Sequence, residues 1–180
     1  MHPGYEFYFW NNSNIPRQFL KNETIAIIDN TKISSVSKSD SLRFDIVGEM
    51  GGVYLDSDME PLKAIDEMFE NDEFIGETPS GHIGAGIFGS IAGGEWVGDL
   101  SNTINKNILN NLDAACNMKI GPDIFKNMAL CGTRSLRDKL CLCKKIYQAE
   151  VFYPDENTDI EKALTKHHRG SSAKNGWMNG

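Results

Sequence analysis

Apolar and polar positions divide the chain into short segments whose spacing predicts alternating helices and strands. Tyr5 to Trp10 is an aromatic run of strand character, closed by a turn over Asn11 to Asn14. Ile15, Phe19, Leu20, Ile25 and Ile28 then fall at intervals that suit one or two short helical pieces before Asn30. Ser37-x-x-Asp40 has the spacing of a capping box, and Leu42, Ile46, Val47 and Met50 follow at helical intervals, so a helix is predicted from about Ser39 to Met50. Gly51-Gly52 ends it, and Val53-Tyr-Leu55 reads as a short apolar strand that stops at Asp56. Strands are predicted at Glu73 to Glu77, Ile83 to Phe88 and Val151 to Tyr153. Helices are predicted at Glu95 to Cys116, after Gly121-Pro122, and from Thr158 to His167. Arg169 to Gly180 is rich in Gly, Ser and Asn and reads as a loop or tail. The alternation argues for an α/β layer architecture in a single domain.

Composition narrows the function. The 180 residues are 40% apolar, with 18 Lys plus Arg against 25 Asp plus Glu, a net charge of -7. Such a balance offers no basic field to a nucleic acid or to an anionic membrane surface. No apolar run approaches the roughly 20 residues that span a bilayer, and no basic stretch followed by an apolar one opens the chain, so a cytoplasmic location is expected. The four cysteines, Cys116, Cys131, Cys141 and Cys143, lack CxxC spacing and read as reduced, packed thiols.

The segment with the most chemistry is Val53-Tyr-Leu-Asp56-Ser-Asp58-Met-Glu60. An apolar strand ending in Asp-x-Asp places two carboxylates on one side of an extended chain, at the rim where open α/β sheets bind ligands; a parallel sheet is the arrangement expected. Two such oxygens can hold a hard divalent cation and leave positions for water and phosphates. The plainer reading is a solvated polar turn. Asp40 and Arg43, three residues apart on the preceding helix, share a face and reach toward the same strand end: Arg supplies a fork of donors and Asp accepts from hydroxyls. Alternatively Asp40 completes the capping box and pairs with Arg43 at the surface.

Taken together, Asp40-x-x-Arg43, Gly51-Gly52, Tyr54, Asp56 and Asp58 resemble the signature of the Asp-x-Asp sugar transferases of glycosyltransferase family 32, and more distantly the clostridial glucosylating toxins. The resemblance implies a GT-A-like, Rossmann-like fold and a metal-dependent glycosyltransferase that acts with retention of configuration. It implies a nucleotide-diphospho-sugar donor, a UDP-sugar in preference to a GDP-sugar, and a glycan, lipid-linked or protein acceptor. Asp58 would hold Mn²⁺ or Mg²⁺. Asp56 would meet the metal through water or bind the ribose or sugar, Arg43 and Asp40 would orient the donor sugar, and Tyr54 would border the nucleotide. His167-His168-x-Gly170-Ser171-Ser172 followed by Trp177 is similar to the family's terminal His-x-x-x-Ser-Trp pattern. That makes His168 a third metal ligand and places Ser171 and Trp177 over the donor. Relatives carry an Ile-Pro-Lys-x-x-His type strand ahead of a segment like His2 to Phe7, so a fold without that first strand is expected. Where relatives often have an Asn at the donor sugar, Ile83 to Gly89 offers Ala and Gly.

Three other readings compete. Gly84-x-Gly86-x-x-Gly89 has the letters of the dinucleotide fingerprint, but it lies inside an apolar run and opens no helix. A phosphatase of the haloacid dehalogenase type also uses Asp-x-Asp, but there a Thr or Val stands where this chain has Glu60. The third is a catalytically impaired or non-catalytic module that binds nucleotide sugars or glycans.

Overall fold

A computed structural model describes residues 4–81, 83–110, 145–155 and 157–168. After a 3-10 turn at Arg17–Phe19 come α1 (Asn22–Asp29), α2 (Ser35–Met50), β1 (Gly52–Leu55) and β2 (Met59–Pro61). A second 3-10 turn at Asp66–Glu70 leads to β3 (Glu73–Glu77), β4 (Ile83–Ser90) and α3 (Glu95–Asn110). The last described elements are β5 (Lys145–Tyr147), the short α4 (Ala149–Phe152) and β6 (Thr165–His167). The molecule is thus mixed α/β, as expected. Cys116, Cys131, Cys141, Cys143, Gly121-Pro122, Ser171, Trp177 and the predicted tail lie outside the described residues.

The main sheet runs in the order β1-β4-β3-β5. Here the expected parallel sheet is corrected. β4 is antiparallel to both β1 and β3, and β5 alone lies parallel to β3. The reason is local: β3 and β4 are joined through a tight turn in which the Gly81 N–H donates to Thr78 O, and so short a connection permits only antiparallel neighbours.

Alternation along the strands sends side chains to two cores. Ile75 and Phe88 face Phe44, Val47, Trp96, Val97 and Ile104 beneath α2 and α3, while Phe74 and Ile87 face Met59, Met68, Phe152 and Tyr153 on the other side. A two-stranded ribbon of β2 and β6 lies beside this second core. α2 is only weakly apolar because its buried face includes Ser37, Asp40, Ser41 and Asp45. Most of that polarity is matched inside. Asp45 accepts from the Lys21 N–H and from Ser101 Oγ, and Ser41 Oγ donates to Asn105, whose amide donates to Thr24.

Four expectations are corrected. α2 starts at Ser35, with Ser34 Oγ accepting from the Ser37 N–H at 3.2 Å, so the cap lies ahead of the Ser37–Asp40 box. Tyr5 to Trp10 forms no strand: among the described residues no strand pairs with it, and Phe7 and Phe9 remain 75% and 80% exposed. Val151 to Tyr153 belongs largely to the helical turn α4 instead of a strand, since that turn seats Phe152 and Tyr153 in the second core. Thr158 to His167 is no helix: its end pairs with β2, Met59 opposite His167. The Gly51-Gly52 stop holds. Gly51, at φ 70°, donates its N–H to Val47 O, and a Cβ there would stand 2.7 Å from the Ala92 nitrogen.

Candidate active site

The middle of α2, the end of β1 and an irregular stretch of β4 meet at one place. β4 pairs Phe88 with Ile75 and then Gly84 with Gly76, so Ala85, Gly86 and Ile87 bulge away from β3. Bulges of this kind leave main-chain groups without ladder partners and re-aim side chains. Here the orphaned groups are taken up by the candidate residues. Ala85 O accepts from Arg43 Nη1 (3.1 Å), Gly86 O accepts from the Asp56 N–H (2.7 Å), and the N–H groups of Gly86 and Ile87 donate to the Tyr153 hydroxyl (2.9 and 3.2 Å).

Arg43 is the hub. It leaves α2 one turn after Asp40, pairs with Asp40 Oδ1 at 3.1 Å and with Asp56 Oδ1 at 3.2 Å, and donates to Ser39. Its guanidinium lies 4.6 Å from the centre of the Tyr54 ring, which also stacks with Phe88. Tyr54 therefore serves Arg43 and Asp56, to which its hydroxyl donates at 2.6 Å. Burial raises the Tyr54 phenol well above its usual range; Arg43 counteracts this and Asp56 adds to it. Asp40 is nearly enclosed. Burial raises its carboxyl above the ordinary aspartate value, with Arg43 opposing and Asp56 reinforcing the shift, and its Oδ2 has no hydrogen-bond partner among the described residues.

Asp58 lies beyond the turn in which the Met59 N–H donates to Asp56 O. Its Oδ2 is 3.3 Å from His167 Nε2, and its carbonyl accepts from the His168 N–H. The imidazole of His168 lies instead against Glu60, 2.8 Å from Oε2. Asp40, Arg43, Tyr54 and Asp56 thus form one contact network, Asp58 lies next to it with His167, and the His168 ring is directed to Glu60. Ser39 and Tyr153 join this candidate cluster without having been singled out in the sequence, and His167, named there only as part of the His167-His168 motif, takes the place beside Asp58. The β2–β6 pairing brings His167 in, and no local signal announces that pairing.

The Asp58 carboxylate and His167 imidazole are each 24% exposed. One hard oxygen and one nitrogen, open to solvent, fit a cation that takes its remaining ligands from phosphate and water. Among the described residues no group of three or more His, Cys, Asp or Glu side chains is arranged to hold a metal ion. Asp56 Oδ1 is already engaged by Arg43 and Tyr54.

Residues 1–75 match the family described as glycosyltransferase sugar-binding region containing DXD motif. The matched span holds Asp40, Arg43, Tyr54, Asp56 and Asp58, and the mixed α/β architecture is compatible with a GT-A-like fold. That match, over less than half of the 180 residues, supports a DXD-containing, glycosyltransferase-like family. Neither the curated proteins nor the solved structures compared with the chain gave a match. No helix among the described residues is long and apolar enough to cross a membrane.

Proposed function

We propose that the protein is a metal-dependent glycosyltransferase of GT-A-like fold, moving a sugar from a nucleotide-diphospho-sugar to an acceptor hydroxyl with retention of configuration. The observation that carries this reading is the Arg43 cluster: a fork of donors fixed by Asp40, Asp56 and Ala85 O at the end of the strand that leads to Asp58. Rigid placement of such groups orients a donor without reorganisation during reaction. Asp40 and Asp56 accept from sugar or ribose hydroxyls. Arg43, its donors engaged by Ser39, Asp40, Asp56 and Ala85 O, orients the donor through the two carboxylates that it fixes, and Asp58 with His167 would hold Mn²⁺ or Mg²⁺. A cation held there supplies charge neutralisation for the departing diphosphate. The acceptor oxygen bonds to the anomeric carbon as the bond to the diphosphate oxygen breaks, and the acceptor proton passes to the departing diphosphate. A UDP-sugar is preferred as donor, and a glycan, lipid-linked or protein hydroxyl as acceptor. Ser171 and Trp177 complete the donor site in this reading.

The sparse protein ligand set at Asp58 favours a second reading, a module that binds nucleotide sugar or glycan without turning it over. Incubation with UDP- and GDP-sugars in Mn²⁺, with release of nucleoside diphosphate as readout, separates the two. Turnover that disappears in Asp58→Ala supports the transferase. Metal-dependent binding without turnover across an acceptor panel supports the module.

A further inference from the structure

Tyr153 lies far along the chain from the matched region, yet its hydroxyl is in the centre of the site. The oxygen accepts two adjacent main-chain N–H groups, from Gly86 and Ile87, and among the described residues its own proton is donated to nothing. Asp56 shows the complementary condition. Both side-chain hydrogen bonds to it fall on Oδ1, from Tyr54 and Arg43, and among the described residues Oδ2 receives none. These two unused capacities flank one spot: a Cβ built on Gly86 would stand 3.1 Å from Asp56 Oδ2 and 3.1 Å from the Tyr153 oxygen. At those distances a Cβ is already tight, so a glycine is what lets the acceptor and the donor converge over this backbone position. The Tyr153 ring also makes a T-shaped contact with His167, the partner of Asp58, at 5.7 Å between centroids.

We infer that Tyr153 is a further ligand-binding residue, whose hydroxyl donates to a sugar or ribose hydroxyl that itself donates to Asp56 Oδ2 in the space above Gly86. A hydroxyl group is both donor and acceptor, and it satisfies the two protein groups at once; a carbonyl or phosphate oxygen offers Asp56 no proton. Burial pushes the phenol up to about 12, with the two main-chain N–H groups pulling the other way, so it remains a donor at neutral pH. The inference rests on the nucleotide-sugar reading above and adds to it a recognition contact from outside residues 1–75.

The test is a binding comparison by titration calorimetry in Mn²⁺. It uses UDP-glucose and GDP-mannose, their deoxyhexose analogues, and the 2′-deoxy and 3′-deoxyribose forms, each against wild type, Tyr153→Phe and Gly86→Ala. The expected result is that Tyr153→Phe loses about five- to tenfold in affinity for the complete donor, the size of one neutral hydrogen bond, but nothing further for the one analogue that lacks the recognised hydroxyl. A deoxyhexose behaving so assigns the contact to the sugar, a deoxyribose form to the nucleoside. Gly86→Ala retains both polar side chains and sets a methyl about 3.1 Å from each, so it shows the same selective loss even if Tyr153→Phe fails to fold. Equal losses for all donors, or no loss in a folded Gly86→Ala protein, overturn the role of Tyr153 and leave the transferase reading standing. Wild type that binds none of these donors overturns that reading, and the subsite with it.

Discussion

Arg43 Nη1 lies 3.2 Å from Asp56 Oδ1, which ties the helix before the double glycine to the strand after it. The same guanidinium holds Asp40 and the Ala85 carbonyl, so one side chain fixes three elements. Replacing it by lysine keeps the charge but loses the planar fork that meets these partners together. Arg43→Lys is expected to lower transfer about a hundredfold. Arg43→Ala is expected to cost about 3 to 5 kcal/mol of stability, because two carboxylates are left without their counter-charge in a mostly buried site. Transfer assays and denaturant unfolding measure the two effects, and wild-type transfer in Arg43→Lys contradicts the clamp.

Asp58 contributes differently. Its carboxylate is partly open and its contact is one His167 nitrogen, so Asp58→Ala is expected to change stability by less than about 1 kcal/mol while abolishing Mn²⁺-dependent nucleotide binding. Unchanged nucleotide affinity in the folded variant would remove the metal assignment.

The Asp40 carboxyl gives a pH signature. Its folded-state value lies above the 3.8 of the unfolded chain, raised first by burial. The protonated form is therefore favoured by folding. Asp40's contribution to stability is fully present below that unfolded value and is lost as pH rises through the folded value. Asp40→Asn resembles the protonated residue at every pH. The melting temperature of Asp40→Asn relative to wild type should accordingly be more favourable at pH 7 than at pH 4. A difference that is flat with pH, or of opposite slope, contradicts the burial argument.

Glu73 separates stability from function. From β3 its carboxylate accepts from the N–H groups of Trp96 and Val97 at the start of α3 and from Ser90 Oγ, a cap supplied from across the sheet. Glu73→Ala is expected to cost about 2 to 3 kcal/mol, since the donors are buried and the acceptor is charged, while nucleotide affinity in the folded protein stays near wild type. Thermal unfolding and titration of the same samples check both halves.

The legible parts of the fold are those whose cause is local. The Gly51-Gly52 stop, the apolar strand β1 and the Asp56 and Asp58 carboxylates at its end follow from residues adjacent in sequence. The capping position was less legible, because Ser34 and Ser37 both qualify by type. The helix needs Ser37 and Asp40 on its inward face, which leaves Ser34 as the cap. The aromatic run at Tyr5 to Trp10 has strand propensity but no partner strand among the described residues, and propensity without pairing makes no strand. Val151 to Tyr153 shows the opposite error: three apolar residues have no measurable period, and the second core, not the pattern, makes them a helical turn. β2 and β6 pair across more than a hundred positions, and the bulge at Ala85 to Ile87 exists only relative to β3. Hence the grouping of Asp40, Arg43, Tyr54 and Asp56, with Asp58 after them, was readable, whereas His167 and Tyr153 join that candidate cluster only once the chain has folded.

The most direct measurement is thermal unfolding of the wild-type protein with UDP- and GDP-sugars, each with Mn²⁺ or with chelator. A donor at about 100 times its dissociation constant adds about 2.7 kcal/mol, a rise of roughly 5 to 10 °C for a chain of this size. A rise that needs both the cation and one nucleotide sugar is the predicted result. No rise with any pair, or the same rise in chelator, contradicts a metal-dependent nucleotide-sugar site at Asp56 and Asp58.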